Sequence, residues 1–103
     1  MLGYLQVRPG PTSELLDWLH SDLVTYAERE GFALADVFVE RADSGRAALS
    51  GLVEALKHQE IGAVVVPALE HLSGFPGGRQ ALRLLIERDT GARVHVVYPN
   101  GSG

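Results

Sequence analysis

The strongest constraint on the fold is an alternation of short apolar runs with longer segments of helical periodicity. The apolar runs are each about six residues long: residues 2–7, 34–39, 63–68 and 93–98. Between them, apolar residues recur three and four positions apart in three segments, at about residues 13–30, 46–58 and 79–89. Strands that alternate with helices predict a parallel sheet whose strands are joined by right-handed crossovers.

The predicted fold class is therefore α/β. We expect a three-layer sandwich in which a four-stranded, mostly parallel sheet carries its three helices on both faces. The three consecutive valines Val64–Val66 are typical of a strand that is covered on both sides. Glycines at positions 31 and 91 are expected to end the first and third helices, and Leu82, Leu85 and Ile86 of the third helix are expected to face inward. Residues 1–99 are predicted to form one domain, and residues 100–103 a flexible tail.

Composition excludes several classes of protein. The 103 residues include no cysteine, which excludes a disulfide framework, a thiolate metal site and a cysteine nucleophile. A hydrophobic content of 46% excludes a disordered tail, and no apolar run is long enough to cross a bilayer. The net charge of −4 disfavours a surface that binds nucleic acid all over. We expect a cytoplasmic protein with no membrane contact.

Motifs for metal, nucleotide or hydrolase chemistry are missing from the sequence. The four histidines, at positions 20, 58, 71 and 95, lack the spacing of metal ligands, so we expect no metal site. His20 lies close to the apolar stripe of the first helix and is expected to be packed or half-buried. The glycine-rich segment 74–78 lacks the Lys-Ser/Thr of a phosphate-binding loop, and no G-x-S-x-G segment occurs. We therefore expect no cofactor.

Three arginines are predicted to lie near the carboxyl edge of the sheet. Arg8 follows the first strand, Arg46 begins the second helix and Arg79 begins the third. Ligands of open α/β sheets bind at this edge, and helix N-termini favour anions. The arginines could form an anion or phosphate site, or they could be solvated loop residues.

Trp18 is predicted to lie away from the core. At about 100° per residue, it falls more than a right angle from the centre of the stripe Leu16, Leu19 and Leu23, with Leu15 in between. Because protein interfaces are enriched in tryptophan, Leu15 and Trp18 are candidates for a partner surface. The alternative is that the proline-rich segment 8–11 folds over Trp18.

The order of several segments resembles the catalytic domain of serine recombinases (the resolvase/invertase family). The resemblance covers about residues 2–98 and is carried by segments 3–8, 37–40, 43–45, 51–52, 61–66 and 69–74. It implies a resolvase-like α/β fold and a serine that attacks a DNA phosphate. It also implies a further strand, a long dimer-forming helix and a DNA-binding domain, which are not among these residues, so a minimal domain is expected.

The sequence departs from the family at its functional positions. The family's first strand ends in Tyr-x-Arg-Val-Ser, where the arginine helps to activate the attacking serine; Gln6 and Arg8 occupy those two positions. The family's Leu-Asp-Arg-Leu-x-Arg pattern supplies arginines that clamp the phosphate. Glu70, His71 and Gly74 stand at its charged positions. Without the hydroxyl and the clamping charges, the family's chemistry is not expected.

Three hypotheses follow from these departures. The first is an inactive, resolvase-like interaction or regulatory module that binds a partner protein or a second copy through Leu15 and Trp18. The second is a weak DNA or phosphate binder that uses Arg8, Arg46 and Arg79. The third is an enzyme of changed chemistry with Glu70 and His71 as acid and base, although neighbouring residues at a strand end usually point in different directions.

Overall fold

The computed structural model describes residues 1–7, 13–41, 47–59, 61–72 and 76–99, without the side chains of residues 13, 70 and 76. The strands are β1 (Leu2–Val7), β2 (Asp36–Arg41), β3 (Ala63–Val66) and β4 (Arg93–Val96). The helices are α1 (Ser13–Arg29), α2 (Ala47–His58) and α3 (Pro76–Thr90), with a short 3-10 helix at Leu69–His71. The expected turn at residues 43–45 and the tail at 100–103 lie outside the described residues.

The four strands form one parallel sheet in the order β2-β1-β3-β4. One face is covered by α1, whose Leu23 and Ala27 pack with Leu5 and Val65 of the sheet. The opposite face is covered by α2 and α3, which bury a second apolar core. Its large buried side chains include Tyr4, Leu52, Leu56, Val64, Leu72 and Ile86. The predicted fold class, a sandwich of a four-stranded sheet between helices, is confirmed.

Helix α1 lies very close to the sheet where it crosses β1. A Cβ atom at Gly3 would lie 2.9 Å from the Cδ1 atom of Leu23 and 3.2 Å from the Cγ2 atom of Val37. Glycine at this position therefore allows the helix and the strand to pack closely. The helix ends at Arg29, and Gly31 follows it with a φ of 83°, the left-handed conformation expected of a glycine just after a helix.

The boundaries of four elements differ from the predicted ones, and for two of these elements the reason is a proline. β3 ends at Val66 instead of residue 68, because Pro67 has no amide proton to donate to a strand ladder. α3 begins at Pro76 instead of Arg79, since the first position of a helix needs no amide proton and suits proline. β2 is shifted by two residues to Asp36–Arg41, and β4 ends at Val96.

Two predicted side-chain positions are wrong. His20 is exposed, because α1 contacts the sheet through a narrow stripe that contains Leu23 and Ala27. Leu85, expected to face inward, is 51% exposed. α3 packs on the sheet through Leu82 and Ile86, and Leu85 is rotated by about 100° around the helix from Ile86. Within the described part of the chain, no helix has the length and apolar character needed to cross a membrane.

A buried carboxylate joins β2 to the start of α2. Glu40 is 1% exposed, and its two oxygens accept the amide protons of Ala48 at 3.2 Å and Leu49 at 3.1 Å. The Tyr4 hydroxyl donates a longer bond of 3.5 Å to the same carboxyl group. The first amides of a helix lack partners within it and carry partial positive charge, so a carboxylate at this position stabilises α2.

Replacement of Glu40 by alanine is expected to lower the free energy of unfolding by about 3 kcal/mol, because buried donors on α2 and Tyr4 lose their acceptor. Urea denaturation followed by circular dichroism measures the change. The matched control is Glu54→Ala, which replaces an exposed glutamate on α2 and is expected to change the free energy of unfolding by no more than about 0.5 kcal/mol. Equal effects of the two substitutions would contradict the capping role.

A ring cluster links α1 to β4 on the other face of the sheet. The Tyr26 hydroxyl lies 3.1 Å from His95 Nδ1, and the His95 ring makes edge contacts with Tyr26 and Phe32. Burial lowers the pKa of His95 below its ordinary value, and the nearby Arg93 charge acts in the same direction. Burial also raises the pKa of Tyr26, with the Glu30 charge adding to it.

The lowered pKa of His95 predicts that the folded state loses stability in weak acid. Below about pH 6.5, the ordinary pKa of histidine, the unfolded chain binds a proton that the folded chain resists. Stability is therefore full above that pH and declines as the pH falls toward the lowered pKa of the folded state. His95→Gln is expected to flatten this part of the profile, measured as urea midpoints between pH 7 and 5. An unchanged slope, matching a His20→Gln control, would contradict the assignment.

Candidate functional site

The carboxyl ends of β1 and β3 border the crevice where the strand order reverses. β1 pairs with β3 only through Leu2–Val64 and Gly3–Val65, whereas it pairs with β2 along its whole length. The chain then leaves β1 toward α1 on one face, and leaves β3 toward α3 on the other. Ligands of open α/β sheets bind in such a crevice, which makes it the candidate functional site.

The side chain of His71 lies in this crevice and is bonded to β1. The backbone amide of Gln6 donates a hydrogen bond to His71 Nδ1 at 3.0 Å. Gln6 lies beyond the part of β1 that pairs with β3. An Nδ1 atom that accepts a hydrogen bond carries no proton of its own, so the ring is neutral and its proton is on Nε2. The imidazole thus replaces a strand partner for the Gln6 amide.

This contact joins two positions that the family resemblance made important. Gln6 and His71 both stand where the resemblance implies arginines, and they lie on segments 65 residues apart. Instead of two cations directed at a phosphate, these positions supply a backbone donor and a neutral acceptor that bind each other. This bond could not be predicted from the sequence, because nothing in either segment indicates which backbone amide a histidine ring will reach.

The other predicted site residues are described only in part. Arg8, Arg46 and Gly74 lie outside the described residues, as does the side chain of Glu70. Arg79 is half-buried in the first turn of α3. The anion site and the Glu70–His71 acid–base pair therefore remain predictions. The described residues contain no group of three or more side chains that could hold a metal ion.

A second candidate surface lies on α1 and includes both predicted interface residues. Trp18 is 75% exposed and Leu15 is 46% exposed, so Trp18 lies off the core as predicted. Tyr98, 38% exposed, follows β4 and donates a hydrogen bond from its hydroxyl to Asp22 Oδ2 at 2.8 Å. Asp22 is one helical turn after Trp18, so we define the α1 face as Leu15, Trp18 and Tyr98 with their acidic neighbours Glu14, Asp17 and Asp22.

The bond between Tyr98 and Asp22 fixes one side of the α1 face. It raises the pKa of Tyr98, because a hydroxyl that donates to a carboxylate holds its proton more tightly. The aromatic ring is thereby held beside the helix at the end of β4. Tyr98 was not among the predicted interface residues, since its distance from Trp18 along the chain gives no sign that the two lie on one surface.

A third candidate surface lies on α3, where Leu84 and Leu85 form an exposed apolar pair. Leu84 is 62% exposed and Leu85 is 51% exposed. Helical geometry could have identified Leu84, which lies about 160° around the helix from the buried Ile86. These leucines lie on the opposite side of the sheet from the α1 face.

Replacement of His71 by alanine is expected to lower the free energy of unfolding by about 1–3 kcal/mol, because the Gln6 amide loses its acceptor. The measurement is urea denaturation at pH 7.5. The control is His58→Ala, an exposed histidine near the end of α2, for which we expect little change. A His71 variant as stable as the protein itself would show that the crevice does not depend on this bond.

The comparisons with known proteins identify the fold. No protein-family model matches the chain, and no curated protein is significantly similar to it in sequence. Among solved structures, the C-terminal catalytic domain of ISC1926 TnpA, an IS607-like serine recombinase, superposes with a TM-score of 0.75 at 19% identity. That match covers 96% of this chain and 72% of the recombinase domain.

A second solved structure gives the same result. The N-terminal catalytic domain of TP901-1 integrase superposes with a TM-score of 0.74 at 20% identity, over 93% of this chain and 75% of that domain. Both comparisons agree with the resemblance found in the sequence. The chain has the fold of a serine recombinase catalytic domain.

Proposed function

We propose that this chain is a catalytically inactive domain with the serine recombinase fold, which acts as a protein interaction or regulatory module and self-associates. The observation that carries the proposal is the bond from the Gln6 amide to His71 Nδ1 in the crevice. A phosphate bound there would need cations, and this pair supplies none, since the imidazole that accepts from the Gln6 backbone amide is neutral.

The loss of charge matters because phosphoryl transfer depends almost entirely on positioned positive charge. A neutral imidazole that already accepts a hydrogen bond cannot replace a guanidinium in stabilising the transition state. Position 8, where the resemblance implies the attacking serine, holds an arginine and therefore no hydroxyl. Both the nucleophile and part of its electrostatic support are thus replaced by residues that cannot do the same chemistry.

The scaffold itself is retained, which favours a role other than catalysis. Buried apolar residues cover both faces of the sheet, and Gly3 still allows α1 to pack closely. Random drift would damage the core as readily as the crevice. Changes concentrated at functional positions in an intact fold support selection for binding.

The α1 face supports self-association as the form that this binding takes. Trp18 presents most of a large aromatic side chain to water beside the partly exposed Leu15. Burying a large apolar side chain contributes roughly 1.5–3 kcal/mol, and tryptophan is over-represented among the residues that dominate binding energy. Such a residue on a small domain is best explained as a contact for another protein molecule.

The inactive state is tested with supercoiled plasmid DNA. We expect no nicked or relaxed product and no covalent protein–DNA adduct after incubation of the protein with plasmid in low salt. Labelled DNA titrated at the same low salt measures any residual phosphate binding. Nicked or relaxed product that disappears on Gln6→Ala or Arg8→Ala substitution would contradict the proposal.

Self-association is tested by light scattering behind a sizing column over a range of protein concentrations. We expect the mean molar mass to rise with concentration, and Trp18→Ala to weaken association at least about fivefold, equivalent to about 1 kcal/mol. Ser21→Ala, an exposed polar position on the same helix, is the matched control. A monomer at every concentration would contradict self-association.

A further inference from the structure

The outer face of α3 is apolar at its centre, with Arg88 beside the two leucines and the exposed carboxylate of Asp89 at the margin, one helical turn after Leu85. Leu84 and Leu85 are each more than half exposed, and Arg88 is exposed one helical turn after Leu84. Arg83 lies at the margin, where its Nε atom is 4.0 Å from Glu87 Oε2. We define the α3 face as Leu84, Leu85 and Arg88.

The α1 face has the complementary character. Its exposed Leu15 and Trp18 are accompanied by three carboxylates, those of Glu14, Asp17 and Asp22. No basic residue occurs on α1 before Arg29, apart from His20. An apolar centre with acidic surroundings therefore matches an apolar centre with a guanidinium, in the way that partner surfaces carry opposite potentials.

We propose that the α1 face of one copy docks on the α3 face of a second copy. This inference rests on the self-association proposed above and names the surface that receives Trp18. Trp18 packs against Leu84 and Leu85, while Arg88 lies among the carboxylates of the α1 face. Arginine can also stack over an indole ring, which suits it to this contact.

The fold determines the kind of assembly that this contact produces. α1 and α3 cover opposite faces of the sheet, so the two surfaces of one molecule cannot reach each other. An open assembly therefore has a free α1 face at one end and a free α3 face at the other. The association is therefore head-to-tail, and it adds copies until a ring closes or a chain grows.

The sheet edges offer less to a second copy than the helices do. On β2, the outward amide of Val37 is bonded to the Asp36 carboxylate at 2.8 Å. On β4, the amide of Val94 is bonded to Glu87 Oε2 at 3.0 Å. Amides that are already satisfied and flanked by carboxylates disfavour the addition of another strand, so docking through helix faces is the better-supported route.

The test uses two variants that each destroy one of the two faces. Trp18→Ala removes the centre of the α1 face, and the double substitution Leu84→Ser with Leu85→Ser removes the centre of the α3 face. All three side chains are exposed, so both variants are expected to keep the fold, checked by circular dichroism and urea midpoints. Molar mass is measured for each variant alone and for an equimolar mixture, up to several hundred micromolar.

A head-to-tail contact predicts a distinctive result in the mixture. Each variant alone is monomeric over the range where the unmodified protein associates, with association weakened at least about tenfold. The mixture forms a dimer and nothing larger, because only one intact α1 face can meet one intact α3 face. Ser50→Ala, an exposed position on α2 outside both faces, is the control that should associate normally.

Charge supplies a second readout of the same contact. Arg88→Glu is expected to weaken association several-fold, and added salt is expected to weaken association of the unmodified protein because screening reduces the attraction between the faces. The effect of salt should be smaller in the Arg88→Glu variant. An identical salt dependence in both proteins would overturn the place given to Arg88.

The outcomes separate this inference from the proposed function. If the unmodified protein associates but the leucine variant associates equally well, or the mixture stays monomeric, docking on the α3 face is overturned while self-association stands. If the unmodified protein is monomeric at every concentration, self-association itself fails and the docking inference fails with it. A dimer confined to the mixture supports both.

Discussion

The short ladder between β1 and β3 is the constraint on which the rest of this structure depends. Two register pairs join these central strands, against six between β1 and β2 and four between β3 and β4. The strands then separate, because the chain must leave them toward opposite faces of the sheet. Separation leaves strand amides such as that of Gln6 without a ladder partner. Such an amide must bind a ligand, water or the protein itself, and here it binds His71.

That requirement explains why one histidine can change the character of the site. A crevice lined by unpaired donors favours anions, whereas a crevice whose donor is satisfied by a side chain offers them less. A similar arrangement occurs at the start of α2, where Glu40 accepts hydrogen bonds from two helix amides that could otherwise bind an anion. Both groups are internal acceptors for donors near the carboxyl edge of the sheet. The molecule thereby satisfies within itself several of the groups that would recognise a phosphate.

Sequence patterning predicted the fold because the two apolar cores impose periodicities that survive in a single sequence. It also predicted the exposure of Trp18, which depends only on helical geometry. It failed for groups whose partners lie far away in the chain. The acceptor role of Glu40 was not predicted, and His71 was considered only as a replaced family position and a possible acid or base. Both acceptor roles depend on how α2 and β1 are placed in three dimensions. Leu85 was misplaced since a helix on the flank of a small sheet buries a narrower stripe than expected.

The stabilising contacts of the fold lie away from the carboxyl ends of β1 and β3. The described core consists of apolar residues on both faces of the sheet, together with the carboxylate of Glu40 and the ring cluster around His95. None of these contacts requires a cation at the carboxyl edge of β1 or β3. Several cations held close together in the crevice would repel one another when no phosphate is bound. Uncharged side chains in their place avoid this repulsion and leave the core intact. Because the core does not depend on cations at those strand ends, the fold tolerates their replacement, and a binding role of the kind proposed above needs only the exposed helix faces.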